Sequence, residues 1–485
     1  MELESHPPHE STRADALGPR AGSARRPSDR TYGRLQATLI GLALAIVVYV
    51  ILAAWVIIFP KGVTLRTLLL FILAFNALWW SVADRRFARF VRSPGRAKAL
   101  RLTTAAFSLA LNAPILYWFV AGRPPAFFDG GPTWYTAAVT LWHLSLVVLM
   151  PIVALVRLVG LGMAWVIRAA SGRRSPRPEA VPVPAGTASA APVDSVPASP
   201  SRREFLRTGF ATVPAALLVA ATATAHIQQG RLVVSRHRLS APWLPRALHG
   251  LTITQVSDIH LGRHYRTYML PELVDKANSL ASDLVFVTGD VVDMSNDYLP
   301  PALDAISQLT HRHGIFFCIG NHDQIDDRHE FIRLVRAKFP MLINARRSLD
   351  IAGERITLAG VDFDHAERPT KRYPGLLAHV VATMRNYDRH VEGPVIALAH
   401  HPHAFDALAS AGVPLTFSGH THGGQLMLTR PDRHPDVGIG PILFRYNRGF
   451  YYRGASTLFV SCGIGNWFPL RINAPAEVVQ IQLTA

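Results

Sequence analysis

LTITQVSDIHL, residues 251–261, runs from an apolar, β-branched stretch into aspartate and histidine. It reads as a strand whose polar residues fall where the strand ends. SDLVFVTGDVVD (282–293) and GIFFCIGNHD (314–323) repeat the form after helix-like stretches. RITLAGVDF (355–363), VIALAHHP (395–402), PLTFSGHTHGG (414–424), TLFVSCGIGN (457–466) and EVVQIQL (477–483) continue it. This alternation predicts an α/β domain over residues 226–485. In such domains ligands collect outside the carboxyl ends of strands, so residues distant in sequence can converge on one site.

The residues at those ends are of one chemical kind. Asp258 and His260 come first, then Asp290 and Asp293, then Asn321, His322 and Asp323. His400, His401 and His403 follow, and finally His420 and His422. Carboxylate, amide oxygen and imidazole suit borderline divalent ions such as Mn, Fe or Zn. Singly, each has an ordinary reading as a turn residue or a hydrogen-bonded histidine; in this order at successive strand ends, chance is a poor account.

The first half of the chain is different. Residues 1–225 carry 24 Lys and Arg against 10 Asp and Glu, whereas residues 226–485 carry 26 against 23. The basic excess therefore belongs to the segment with four apolar stretches, at 37–59, 65–82, 102–121 and 134–167, and argues topology rather than nucleic-acid binding. Each stretch is near or above the roughly 20 residues that cross a bilayer as a helix. Arginines cluster before the first, between the second and third, and after the fourth, which places both ends of this region in the cytoplasm. We expect a cytoplasmic tail at 1–36, four transmembrane helices within 37–170 and a flexible Pro/Ala/Ser linker at 171–200. Residues 201–225 begin SRREFL, with Arg202 and Arg203 ahead of an Ala/Val/Leu run. They resemble a twin-arginine export signal followed by a fifth apolar helix. That reading implies a multi-pass protein of the bacterial inner membrane, engagement with the twin-arginine export machinery and a catalytic domain on the periplasmic side. The spans carry no ionisable residue at mid-membrane apart from His143 and Arg157, so anchoring is a simpler role for them than transport.

DIH, GDVVD, GNHD, AHHPH and GHTH resemble, in order and context, the five blocks of the calcineurin-like metallophosphoesterase superfamily, from about Gly250 onward. The tail LFVSCGIGNWFPLRINAPAEVVQIQL (458–483) is similar to the membrane-attached bacterial branch with YkuE and YaeI-like proteins. The resemblance implies a four-layer αββα sandwich and a centre of two divalent metal ions. Asp258, His260 and His422 would hold one ion, Asn321, His400 and His420 the other, and Asp290 would bridge them. His401 and His403 fall where neighbours need not be ligands. His322 would reach the substrate as a catalytic group, and Asp293 would pair with it, a turn-capping role being the alternative. Two such ions activate water for in-line attack and neutralise charge on the phosphoryl oxygens.

Departures from better-known branches narrow the substrate. GDVVDMS and IGNHD stand where the protein phosphatases of the superfamily read GDYVDRG and RGNHE, and Asp293 stands where purple acid phosphatases place a tyrosine. A phosphodiester or pyrophosphate is the better expectation, and the anchor favours a lipid-linked or envelope ester. Two alternatives remain: a cytoplasmic pyrophosphatase of the UDP-2,3-diacylglucosamine type, and a scaffold or regulatory domain of a membrane sensor. Cys318 and Cys462 lie in apolar runs and read as buried free thiols. The Arg- and Tyr-rich loop from Arg430 to Arg453 could contact a phosphate or headgroup, or be simply solvated.

Overall fold

The computed structural model describes residues 219–363, 374–467 and 469–485, together with 94–121, 134–143 and scattered positions within 69–80 and 159–166. The first apolar stretch, the linker and the paired Arg202 and Arg203 lie outside the described residues. Helix α1 (Pro94–Ala121) contains, from Lys98 onward, the one described helix long and apolar enough to cross a membrane. It begins eight residues before the apolar stretch expected at 102 and takes in Arg96, Lys98 and Arg101. His143 is not an isolated polar residue: its Nε2 lies 3.3 Å from Asn112 Oδ1, and Asn76 Oδ1 accepts from Trp142 Nε1 at 2.6 Å. Residues 219–229 are helical, so the fifth apolar segment continues four residues beyond its expected end.

The carboxyl-terminal domain consists of two mixed sheets faced by helices. The first takes β1 (Leu232–Ser240), β2 (Thr252–Val256), β3 (Leu284–Thr288), β4 (Ile315–Cys318) and β11 (Ala476–Thr484), in the order β1-β11-β2-β3-β4. The second takes β5 (Ala345–Ile351), β6 (Glu354–Val361), β7 (Val395–Ala399), β8 (Leu415–Ser418), β9 (Gly449–Arg453) and β10 (Ser456–Val460), in the order β5-β6-β7-β8-β10-β9. β11 runs parallel to β1 and antiparallel to β2, and so joins two strands made more than 200 residues before it. β2, β3 and β4 are mutually parallel, as are β6, β7, β8 and β10.

Strand periodicity builds the layers. Leu284 and Phe286 of β3 face inward with Phe316, Ile253 and Ile481, against Leu358, Leu398, Phe417 and Phe459 of the second sheet. Phe286 and Phe417 meet edge to face at 5.2 Å across the interface. Val285 and Val287, pointing the other way, pack under helices α2 (Leu270–Asn278), α3 (Leu299–Ile306) and α4 (Arg328–Arg336). On the far side, Ala397, Ala399 and Val361 are covered by Leu376 and Val380 of α5 (Pro374–Met384). Leu408 of α7 (Ala404–Ser410), which follows the short α6 (Arg389–Glu392), covers the same face. The result is helix, sheet, sheet, helix, with the central parallel strands buried on both faces, which is why they read as continuous apolar runs.

Three strands escape the sequence pattern. β1 and β5 carry charged residues among their apolar ones, and β9 lies inside the Arg/Tyr-rich loop. Within that loop Arg430, Arg433, Arg445 and Arg453 are exposed, but Arg448 is buried, and its Nη2 sits 2.8 Å from Asp436 Oδ1.

Candidate metal centre

Parallel strands end on the same edge, and there the loops following β2, β3, β4, β7 and β8 deliver their polar residues. The backbone makes these deliveries at a conformational cost. Asp258, His260, Asp290, His420 and His422 all have positive φ, between 46° and 71°. Left-handed backbone is unfavourable for residues with a Cβ, costs of order 1–3 kcal/mol each, and concentrates at functional sites. The loops also approach each other too closely for side chains: a Cβ on Gly320 would lie 2.2 Å from Asp290 Oδ1, and one on Gly419 2.1 Å from Asp258 Oδ2.

Asp258, His260 and His422 form one group of potential ligands, and Asp290, His400 and His420 another. His422 Nε2 is 3.4 Å from Asp258 Oδ1 and 3.0 Å from His260 Nε2. Asp290 Oδ2 stands between the groups, 3.4 Å from His260 Nε2 and 3.1 Å from His400 Nε2. Asn321 joins the second group through its Oδ1, 2.7 Å from His420 Nδ1. The second nitrogen of two ligand-type histidines is held from outside. His400 Nδ1 meets Thr288 O at 2.8 Å and His422 Nδ1 meets Gly465 O at 3.0 Å, which leaves Nε2 of each turned to the centre.

A third group places Asp293 beside two rings, with Oδ1 3.6 Å from His260 Nδ1 and 3.4 Å from His322 Nδ1. The Asp293 carbonyl also engages His322 Nδ1 at 2.6 Å, while His322 N donates to Asp290 Oδ1 at 2.7 Å. His401 and His403 are in none of these groups. His401 stacks on Phe363 with ring centres 5.4 Å apart, and its Nδ1 accepts from His403 N at 3.3 Å.

The residues fit a divalent-metal centre by a direct test. Asp290 Oδ2, His400 Nε2 and His260 Nδ1 are buried and make no well-aligned hydrogen bond: their nearest partners are charged atoms of the same cluster, 3.1 Å from Asp290 Oδ2 to His400 Nε2 and 3.6 Å from His260 Nδ1 to Asp293 Oδ1. Such groups are costly unless something else satisfies them. The electrostatics agree. Burial opposes charge on His260 and His400, yet the carboxylates around them hold the two imidazoles up, at about 10 and about 9 respectively. Burial likewise opposes charge on Asp290, and His400 and His260 outweigh it and hold the carboxyl well below its ordinary range. His422 is held down by burial, by His260 and by Arg471. The site therefore gathers anions that attract cations, and protons occupy ligand nitrogens that a metal would claim.

Two supporting residues were not assigned a role from sequence. Asp323 accepts from the backbone N–H groups of Asp290 and Val291 at 2.9 and 2.7 Å and of Gly320 at 2.8 Å, and so ties the β3 and β4 loops together. Its presence in GNHD beside two assigned residues was a usable signal. Arg471 is fully buried and spends its guanidinium on the carbonyls of Cys462 and Ala474 and on Asn466, with Nη2 3.3 Å from His422 Nδ1. Burial lowers it to about 10. Cys318 and Cys462 are both buried free thiols.

A two-sheet α/β fold with this edge is of the metallophosphoesterase type. Residues 251–424 match the family model described as "Calcineurin-like phosphoesterase", which supports a likeness of this part of the chain to that superfamily. The chain is 32% identical over 249 residues to a transmembrane protein with metallophosphoesterase domain of Danio rerio, covering 50% of this chain and 54% of that protein. It is 27% identical over 292 residues to the uncharacterized metallophosphoesterase YkuE of Bacillus subtilis, covering 58% of this chain and 97% of that one. It is 24% identical over 306 residues to the UDP-2,3-diacylglucosamine pyrophosphatase LpxG of Chlamydia trachomatis, covering 52% and 89%. The chain spans only 54–61% of the length of the curated relatives matched at 30% identity or above. Domain and relatives together support a metal-dependent phosphoester hydrolase.

Proposed function

We propose that this protein is a membrane-anchored phosphoesterase that hydrolyses a phosphodiester or pyrophosphate, with a lipid-linked or envelope compound as the substrate class. The observation that carries the reading is the buried set of Asp290 Oδ2, His400 Nε2 and His260 Nδ1, which meet only other members of the cluster and make no well-aligned hydrogen bond, where two ligand groups join. Asp258, His260 and His422 would hold one divalent ion, Asn321, His400 and His420 a second, and Asp290 would bridge. Bound there, the ions supply Lewis acidity to the phosphoryl oxygens and a nucleophilic water.

The chain's own residues do the rest. Asp293 fixes the His322 ring through Nδ1, so Nε2 is the nitrogen His322 offers to a substrate. From there it can hydrogen-bond a phosphoryl oxygen or protonate the leaving oxygen, work worth about 10²–10⁴ in rate for general acids. Thr288 O and Gly465 O orient His400 and His422, and Asp323 holds the loops after β3 and β4 in register. A non-catalytic scaffold is disfavoured because every position of the ligand pattern retains a competent residue.

The test is the purified full chain with Mn supplied: about two ions per chain and hydrolysis of a generic aryl phosphodiester are expected. A folded protein without stoichiometric metal would end the enzyme reading. A second reading, a cytoplasm-facing pyrophosphatase, is favoured by the relative named UDP-2,3-diacylglucosamine pyrophosphatase. Protease accessibility in spheroplasts separates the two. The external reading expects cleavage of the wild-type domain and protection when Arg202 and Arg203 are both replaced by lysine; a protected wild-type domain favours the cytoplasmic one.

A further inference from the structure

Exposed apolar side chains are ordinary when scattered and informative when contiguous. In the segment 426–444, just beyond GHTHGG, Leu428 is 79% exposed, Ile442 83% and Leu443 61%. Backbone bonds gather them: Leu428 N donates to Val437 O at 2.8 Å, and Ile439 N to Leu426 O at 3.0 Å. Ile442 and Leu443 lie on the short helix α8 (Gly440–Leu443) that follows. The segment is fixed from beneath, since buried Arg448 grips Asp436 and donates from Nη2 to Thr429 O at 3.0 Å. The apolar surface also runs into the metal centre. The Phe444 ring lies 6.0 Å from His420 and 5.6 Å from Trp467, whose ring is 5.0 Å from His422.

A separate observation links this surface to the helix at 219–229. The helical residues 219–229 end at Asn473, which also bonds the same segment. Gln228 Oε1 accepts from Asn473 N at 2.8 Å, and Asn473 Nδ2 donates to Met427 O and Leu428 O at 3.1 and 3.2 Å. The end of this helix, which follows the Ala/Val/Leu run in sequence, is thus tied through one asparagine to the base of Leu428.

We propose that the 426–444 segment is a rim seated in the lipid bilayer that holds the chain's own apolar segment. This rests on the membrane-anchored reading above and deepens it. The phosphate ester of a bilayer-resident amphiphile would reach the centre past Phe444 and Trp467 while its apolar tails stay in the membrane. A water-soluble ester would gain nothing from such a rim.

The full chain, carrying Ile442→Cys or Leu428→Cys, can be labelled with an environment-sensitive thiol dye, because Cys318 and Cys462 are buried. Reconstituted into phospholipid vesicles, both labelled proteins should show blue-shifted emission quenched by spin-labelled lipids. A matched Val391→Cys protein should not: Val391 is 61% exposed and equally apolar, but it precedes the amino end of β7, away from the site. Protein that floats with the vesicles while its 442 and 428 dyes stay unquenched overturns the rim and leaves the anchor standing; protein that does not float overturns both. Quenching needs no turnover, so failure to hydrolyse the aryl phosphodiester would count against the phosphoesterase reading alone.

Discussion

The first sheet supplies the site with all its carboxylates and its amide, through the loops after β2, β3 and β4, whereas the second supplies imidazole from the loops after β7 and β8. One sheet brings all the carboxylates together with the imidazoles of His260 and His322, and the other brings imidazole alone. Neither is a site alone: Asp290 needs His400 across the sandwich, and Asp258 needs His422. The difference teaches that a metal here would fasten two sheets that are otherwise held by apolar packing such as Phe286 on Phe417.

The comparison is most exposed at Asp290, which touches ligands from both sheets. Asp290→Ala should abolish stoichiometric metal and lower phosphodiesterase activity by well over the ~100-fold typical of outer-shell changes. Retention of one tightly bound ion, measured by elemental analysis, would place Asp290 in a single half-site. Next comes the imidazole side. His400→Ala should weaken metal binding by more than the roughly 100-fold of outer-shell changes, whereas His401→Ala, whose ring stacks on Phe363, should bind within a few-fold of wild type. The reverse ranking in a competition assay with a chelating dye would move the second sheet's contribution one residue along the chain.

Arg471 tests whether the second sheet's histidines depend on the carboxyl-terminal tail. Arg471→Met should cost about 1–3 kcal/mol for each carbonyl left without a donor, read by denaturant unfolding, and about tenfold in metal affinity. Unchanged affinity in a destabilised variant would make Arg471 structural only. The smallest effect is in pH. In chelated protein His260 and His400 titrate at about 10 and about 9, above the ordinary imidazole value. Their contribution to stability is complete below the unfolded value near 6.5 and is lost as pH rises through 9 to 10. Melting of chelated protein should therefore fall across that window, by about 2–4 °C for each kcal/mol lost, while metal-loaded protein stays level. Metal binding should correspondingly release protons and strengthen as pH rises. Parallel melting curves with and without metal would show that the two sheets are not joined through these imidazoles.

Much of this was legible before any coordinates. The buried parallel strands announce themselves as apolar runs, and chemistry at their carboxyl ends follows from where such strands stop. What was illegible depends on distant partners. Nothing in LVVSRHRLS tells that it pairs with a strand starting at Ala476, because period-two alternation records a face and not a neighbour. An isolated arginine at 471 reads as surface until the carbonyls it serves are brought around it. Glycines 320 and 419 look like ordinary turn residues until the loops they admit are seen touching. In the Arg/Tyr-rich loop, likewise, basic composition gives no sign that Arg448 alone of its arginines is enclosed, with Asp436.

The placement of β11 also has a consequence in time. β1 and β2 are both synthesised early, but the strand that joins them comes last of the eleven, after every strand of the second sheet. During translation the second sheet can assemble while the first waits, its β1 unattached to β2, with a closure across more than 200 residues still to be made. The segment that closes it also brings Arg471 to His422. Completion of the sheet and completion of the site are thus one late event on the ribosome's clock, and any passage of this domain through a membrane in folded form has to be timed after it.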